Sequence, residues 1–93
     1  MPIRVAIVED DPVLRASVQR IVEREGDLQW KGSYGSAEEF MARTSGLEDL
    51  DVVLMDINLP GITGIACIAE CKPKREQVQY LVSTVFEDNE NIF

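Results

Sequence analysis

At 93 residues the chain is sized for one small domain, and its 45% hydrophobic content argues for a packed core and against disorder. Seventeen acidic residues against nine basic ones give a formal charge of −8, which disfavours direct contact with nucleic acid or an anionic membrane. With no histidine present, Ser-His-Asp triads and histidine-held metals are excluded from within the chain.

Met1-Pro2-Ile3-Arg4 opens no signal-peptide pattern, because the apolar run after it is short and ends in acids. No run approaches the ~18 apolar residues of a membrane span, so the expectation is a cytoplasmic protein. The first run, Ile3 to Val8, reads as a strand, and Glu9-Asp10-Asp11-Pro12 ends it. Asp followed by Pro is a strong helix start, with Asp11 as N-cap and Pro12 at the first helical position. Leu14, Val18, Ile21 and Val22 recur at helical spacing and predict the buried face of that helix, which Glu25-Gly26-Asp27 stops.

Residues 28–34 predict a second strand around Trp30, with imperfect alternation and a place near the sheet edge. Ser36 and Glu39, three apart, form a capping box for a short helix carrying Ala37, Phe40 and Met41 inward. The next run, Val52-Val53-Leu54-Met55, is apolar throughout and ends in Asp56, which suits a central strand buried on both faces of a parallel sheet. After the Pro60-Gly61 turn, residues 65–71 predict a helix with Ile65 and Ile68 facing in. Cys67 and Cys71, four apart, read as free thiols on its buried face. Residues 72–76 form a solvated connector, 78–85 a fourth strand, and 86–90 the approach to another helix.

Alternation of strand and helix implies an α/β fold, a doubly wound parallel sheet with right-handed crossovers and helices on both faces. No repeat, low-complexity tract or linker divides it, so residues 1–93 are read as one domain. Ligand sites in such sheets lie outside the carboxyl ends of the strands. Three strand ends then gather Glu9 and Asp10, Asp56, and Thr84. Three carboxylates at one edge repel each other unless one keeps a proton or a cation intervenes. Mg²⁺ suits the set, since it takes one or two carboxylates, waters and a phosphate oxygen. The backbone carbonyl of Asn58 can complete that shell, Asp56 can act as nucleophile toward phosphorus, and the Thr84 hydroxyl can donate to the arriving phosphoryl group. Taken singly, each of these residues has an ordinary use as a helix cap, loop acid or strand-end hydroxyl. Their coincidence at matching strand ends is what points to a site.

The segments Val8-Glu9-Asp10-Asp11-Pro12, Leu54-Met55-Asp56-Ile57-Asn58-Leu59-Pro60-Gly61 and Ser83-Thr84 resemble, in order and spacing over residues 3–93, the signatures of bacterial two-component response-regulator receiver domains. The resemblance implies the flavodoxin-like receiver fold with strand order 2-1-3-4. It implies that Glu9 and Asp10 serve Mg²⁺ (or Mn²⁺), with the Asn58 carbonyl also on the metal. It further implies that Asp56 accepts a phosphoryl group from a sensor histidine kinase and that Thr84 is the switch hydroxyl. The chain would then be a phosphoprotein in signal transduction and transcription regulation, and not an enzyme beyond autophosphatase activity. The stretch 84–88 is similar to receivers joined to LuxR-type helix-turn-helix output domains, so contact with DNA would come through an output domain.

The family's pattern continues by a further strand and helix, with a phosphate-contacting lysine and a switch aromatic that find no counterpart here. Lys72-Pro73 looks like the family's Lys-Pro pair but precedes the fourth strand, so it is not given that role. The expectation is a C-terminally incomplete receiver with an open edge on the fourth strand and exposed apolar side chains of the central strands on one sheet face, either a fragment of a longer regulator or a chain whose gap is covered by a homodimer or swapped oligomer. Three other readings compete. One is a receiver-like interaction module that is not phosphorylated. Another is a Mg²⁺-dependent aspartyl-nucleophile phosphohydrolase, which wants an acid where Asn58 stands. The third is a flavodoxin-like cofactor binder, whose phosphate loop Glu9-Asp10-Asp11 would repel.

Overall fold

β3 (Val52–Asp56) lies in the interior of the sheet, between β1 (Ile3–Val8) and β4 (Gln79–Ser83), with β2 (Leu28–Tyr34) beyond β1. The computed structural model describes residues 2–44, 50–74 and 76–83. The strand order is β2-β1-β3-β4 and all pairings are parallel, as the alternation of elements implied. The connecting helices are α1 (Pro12–Arg24), α2 (Ala37–Thr44) and α3 (Gly64–Cys71), the last running into a 3₁₀ turn at Lys72–Lys74.

Each helix begins where a side chain meets an orphan amide. The Asp11 carboxylate accepts the Val13 N–H at 2.9 Å, with Pro12 first in the helix. Ser36 Oγ accepts the Glu39 N–H at 3.0 Å, while the Glu39 carboxylate turns back to the Gly35 N–H at 2.8 Å. Thr63 Oγ1 accepts the Ala66 N–H at 3.1 Å and starts α3. Caps of this kind contribute about 1 kcal/mol each.

Side-chain parity divides the sheet into two faces. Ala6, Val8, Val53 and Met55 point to the side of α2 and α3, where they meet Phe40, Leu59 and Cys67 in a closed core. There the Tyr34 and Phe40 rings pack edge to face at 5.4 Å. The other face carries Ile7, Leu54 and Leu81, in register on β1, β3 and β4. Only α1 among the described helices covers it, through Leu14, Val18 and Val22. Burial fades along that row: Ile7 is 5% exposed, Leu54 half-buried and Leu81 55% exposed. A groove of 280 Å³ lies there between α1 and the sheet, walled by Leu14, Val18, Leu54 and Leu81 and reaching Glu9 and Asp56. Exposure was expected on the central strands of this face, but Ile7 is buried and Leu54 half-buried, and the exposed residue of the row is Leu81 on β4; β3 is still less evenly buried than a strand sealed on both sides.

Several expectations are corrected. Ile21, assigned to the inner face of α1, is 58% exposed, and Ile65, assigned inward on α3, is 55% exposed. On α1, Ile21 sits next to Val22, and Val22 takes the inward position at 4% exposure. On α3, Gly64 and Cys67 define the buried line, which rotates Ile65 outward. The imperfect alternation of β2 has a cause: its register with β1 slips between Val5 and Ala6, leaving Lys31 as an extra residue. β4 is described to Ser83 and pairs with β3 alone among the described residues. Thr84, Val85 and the helix start expected at 86–90 lie outside the described residues.

At the opposite end of the sheet Arg4 and Asp51 tie β1 to the start of β3. The Arg4 guanidinium reaches both Asp51 carboxylate oxygens at 2.9 and 3.0 Å, and the Arg4 N–H adds a third bond at 2.9 Å. The guanidinium bonds, then the backbone N–H, hold the Asp51 carboxyl at about 2, below its usual range.

Candidate functional site

β1 and β3 are neighbours and parallel, so their carboxyl ends coincide in space although they are far apart in sequence. This register delivers Glu9 and Asp10 to Asp56. One carboxylate oxygen from each can be chosen such that all three lie within 4.8 Å of one another. Glu9 is 4% exposed and Asp56 is 7% exposed, while Asp10 faces solvent. The sequence-derived grouping of these three acids is therefore what the fold assembles.

The Glu9 main chain is held on both sides. Its N–H donates to the Tyr34 carbonyl at 2.9 Å, and its carbonyl accepts from the Arg15 guanidinium at 2.6 Å. Its carboxylate accepts the Asp11 N–H at 3.1 Å. Asp56 is the last residue of β3, and its Oδ1 accepts the Asn58 N–H at 3.0 Å. Asn58 itself is exposed, one step into the loop. A Cβ added at Gly64 would collide with the main-chain carbonyl of Asp56, so the first turn of α3 can lie against the Asp56 backbone only with glycine there.

Burial pushes the Glu9 carboxyl up to about 7, opposed by the Asp11 N–H and reinforced by the neighbouring Asp10 and Asp56. Desolvation first, and then the two neighbouring acids, disfavour the charged form of Glu9 here. A hard divalent cation relieves that penalty, and an all-oxygen donor set of this span is what Mg²⁺ or Mn²⁺ accepts. The residues present therefore fit such an ion.

Sequence reasoning placed Glu9, Asp10, Asp56 and Asn58 at this edge, and the structure brings all four there. Thr84 lies outside the described residues, the strand before it being described to Ser83, opposite Asp56. Three supporting groups were missed: Arg15 on the Glu9 carbonyl, the Asp11 amide on the Glu9 carboxylate, and Glu38, which reaches the loop after Asp56. A basic residue one turn into the helix that follows an acidic turn was a readable signal for Arg15. The contact of Glu38 depends on tertiary placement and left no local signal.

Comparison with known proteins gives a consistent picture. The family model described as the response regulator receiver domain matches residues 5–93. Response regulator GacA of Pseudomonas viridiflava is 31% identical over 87 residues, which cover 94% of this chain and 40% of that protein. The nitrate/nitrite response regulator protein NarL of Escherichia coli (strain K12) is 24% identical over 91 residues, covering 98% of this chain and 42% of that protein. The chain thus spans about two fifths of the length of these relatives. Among solved structures, a CheY-like response regulator receiver domain protein from Methanospirillum hungatei JF-1 superposes with a TM-score of 0.80 at 26% identity. That match covers 99% of this chain and 71% of the other.

Proposed function

This chain belongs to the response regulator receiver domain family, and on that premise we propose that it is a phospho-accepting switch in which Asp56 receives a phosphoryl group from a sensor histidine kinase. The observation that carries the reading is the convergence of Glu9, Asp10 and Asp56 within 4.8 Å at one sheet edge. An Asp56 carboxylate oxygen attacks phosphorus, a P–O bond forms, the P–N bond to the donor imidazole breaks, and the imidazole, already protonated on its other ring nitrogen, takes the P–N electron pair and leaves neutral. Glu9, Asp10, Asp56 and the Asn58 carbonyl would hold Mg²⁺ or Mn²⁺, which supplies neutralisation of charge on the transferred oxygens.

The chain's own residues supply the rest. The Asn58 N–H on Oδ1 orients the Asp56 carboxylate. The two bonds to the Glu9 main chain fix the acidic turn. Burial of Glu9 and Asp56 limits the water that reaches the aspartyl phosphate, which favours a long-lived signal over turnover. The Thr84 hydroxyl is proposed as the group that turns toward the phosphate. The negative surface turns DNA away from this segment, so transcription control passes through an output domain of the LuxR type and through dimerisation. No described helix is long and apolar enough to cross a membrane, and the proposed setting is the cytoplasm.

The test is labelling of the intact protein by a small phosphodonor with Mg²⁺. Asp56→Asn is expected to lose the label entirely, whereas Cys71→Ser keeps it. Equal labelling of both variants would overturn Asp56 as the acceptor. Removal of Mg²⁺ with a chelator is expected to abolish labelling of the unsubstituted protein.

A further inference from the structure

We propose that Glu38, the second residue of α2, is a positioning residue that clamps the loop between β3 and α3 and thereby holds Asn58 in place beside Asp56. The proposal deepens the metal-site reading and rests on it. Residues 57–63 form the loop. At its start the Asn58 N–H is tied to Asp56, Leu59 is buried, and at its far end Gly64 lies against the Asp56 carbonyl. Its middle is gripped from another element. Glu38 Oε2 accepts the Ile62 N–H at 3.1 Å, across 24 residues of sequence.

The loop is shaped to receive that carboxylate. Gly61 has φ +75°, a conformation that favours glycine, and a Cβ placed on it would stand 2.6 Å from Glu38 Oε2. The left-handed turn and the missing side chain together let the carboxylate reach the Ile62 amide. An acid in the first turn of a helix has an ordinary use, since it complements the helix dipole. Any orientation satisfies that use. A carboxylate seated on a main-chain amide of another element, against a glycine that clears space for it, is a specific contact. Its neighbour Glu39 is committed elsewhere, to the Gly35 N–H.

The consequence for the site follows from geometry. A carbonyl ligand is fixed only as well as the loop that carries it, and supporting contacts around a metal site commonly change affinity by about 10–100-fold when removed. Glu38 is exposed, so the lower end applies.

The experiment compares the unsubstituted protein with Glu38→Ala and Glu38→Gln. Mg²⁺ affinity is measured by calorimetry, and exchange of the Ile62 amide by NMR. Glu38→Ala is expected to weaken Mg²⁺ binding about tenfold and to speed Ile62 exchange about tenfold. Glu38→Gln is expected to restore both, because its side-chain carbonyl still accepts the Ile62 N–H. The two variants remove the same charge, so equal impairment of both would show a field effect and overturn the clamp. Unchanged Ile62 exchange in Glu38→Ala would overturn it as well. Gly61→Ala, which places a methyl in the carboxylate's space, is expected to raise Ile62 exchange in the same direction. If the unsubstituted protein bound no Mg²⁺, the metal-site reading would fall while the exchange data still judged the clamp.

Discussion

The two faces of the sheet are built from the same strands and reach different ends. Toward α2 and α3, Val8, Val53, Met55 and Cys67 are fully buried, and Phe40 closes the layer. Toward α1 exposure already begins on the central strand, where Leu54 is only half-buried, and at β4 both faces open, through Leu81 on this side and Val82 on the other. β3 contributes alternate residues to both sides and ends in Asp56, where the groove of the second face opens. The contrast teaches that the fold's cohesion and its chemistry are carried on different sides. The closed face holds the strands in register, and the register holds the acids.

The largest test of this division is Phe40→Ala. Removing a fully buried ring from the closed face is expected to cost about 3–5 kcal/mol, read as a lowered urea midpoint. A loss under about 0.5 kcal/mol, the size typical of surface positions, would break the comparison by showing that the closed face is not where stability resides.

Next in size is the pH dependence set by Glu9, which borders the open face. Its carboxyl is raised from the ordinary 4.5 to about 7. Between those values the folded state keeps a proton that the unfolded chain has released, so stability falls as pH rises through this window and levels above it. The effect amounts to at most about 3 kcal/mol. Glu9→Gln is expected to flatten the profile, and Mg²⁺ to recover stability above pH 7 in the unsubstituted protein alone, as followed by thermal unfolding. A profile of Glu9→Gln that still fell from pH 4.5 to 7 would place the responsible proton elsewhere. Asp51 works in the other direction: its lowered carboxyl supports the fold above the ordinary value of 3.8 and loses that support as pH falls toward about 2.

The smallest effect sharpens the contrast from the open side. Leu81→Ser, at a position 55% exposed, is expected to change stability by no more than about 0.5 kcal/mol, measured in the same urea titration. A loss comparable to that of Phe40→Ala would show that the second face is as tightly sealed as the first.

Much of this was legible in the sequence because the signals were local. Asp11-Pro12 announced α1, Ser36 with Glu39 announced α2, and the apolar run ending in Asp56 announced β3 and its site. The acidic cluster could be inferred because parallel strands bring their ends together whatever their separation in sequence. The outward turn of Ile21 and Ile65 was not legible. Helical periodicity gives a stripe, but which edge of the stripe is sealed depends on what packs against it, and Val22 and Cys67 took those places. The support given by Glu38 was hidden for a related reason: it binds the backbone of a distant turn, where any residue would present the same amide, whereas Arg15 reaches a carbonyl only six residues back.

The extra residue at Lys31 has an optical consequence. In an unbroken strand Trp30 and Tyr34, four apart, would share a side; the slip in register sends them to opposite sides. Trp30 aligns with Val5 and looks toward α1, while Tyr34 aligns with Val8 and meets Phe40. The chain's one indole therefore fluoresces from the half-covered layer, while the Tyr34–Phe40 pair lies in the sealed one. Selective excitation of the indole thus watches one side of the sheet and not the other.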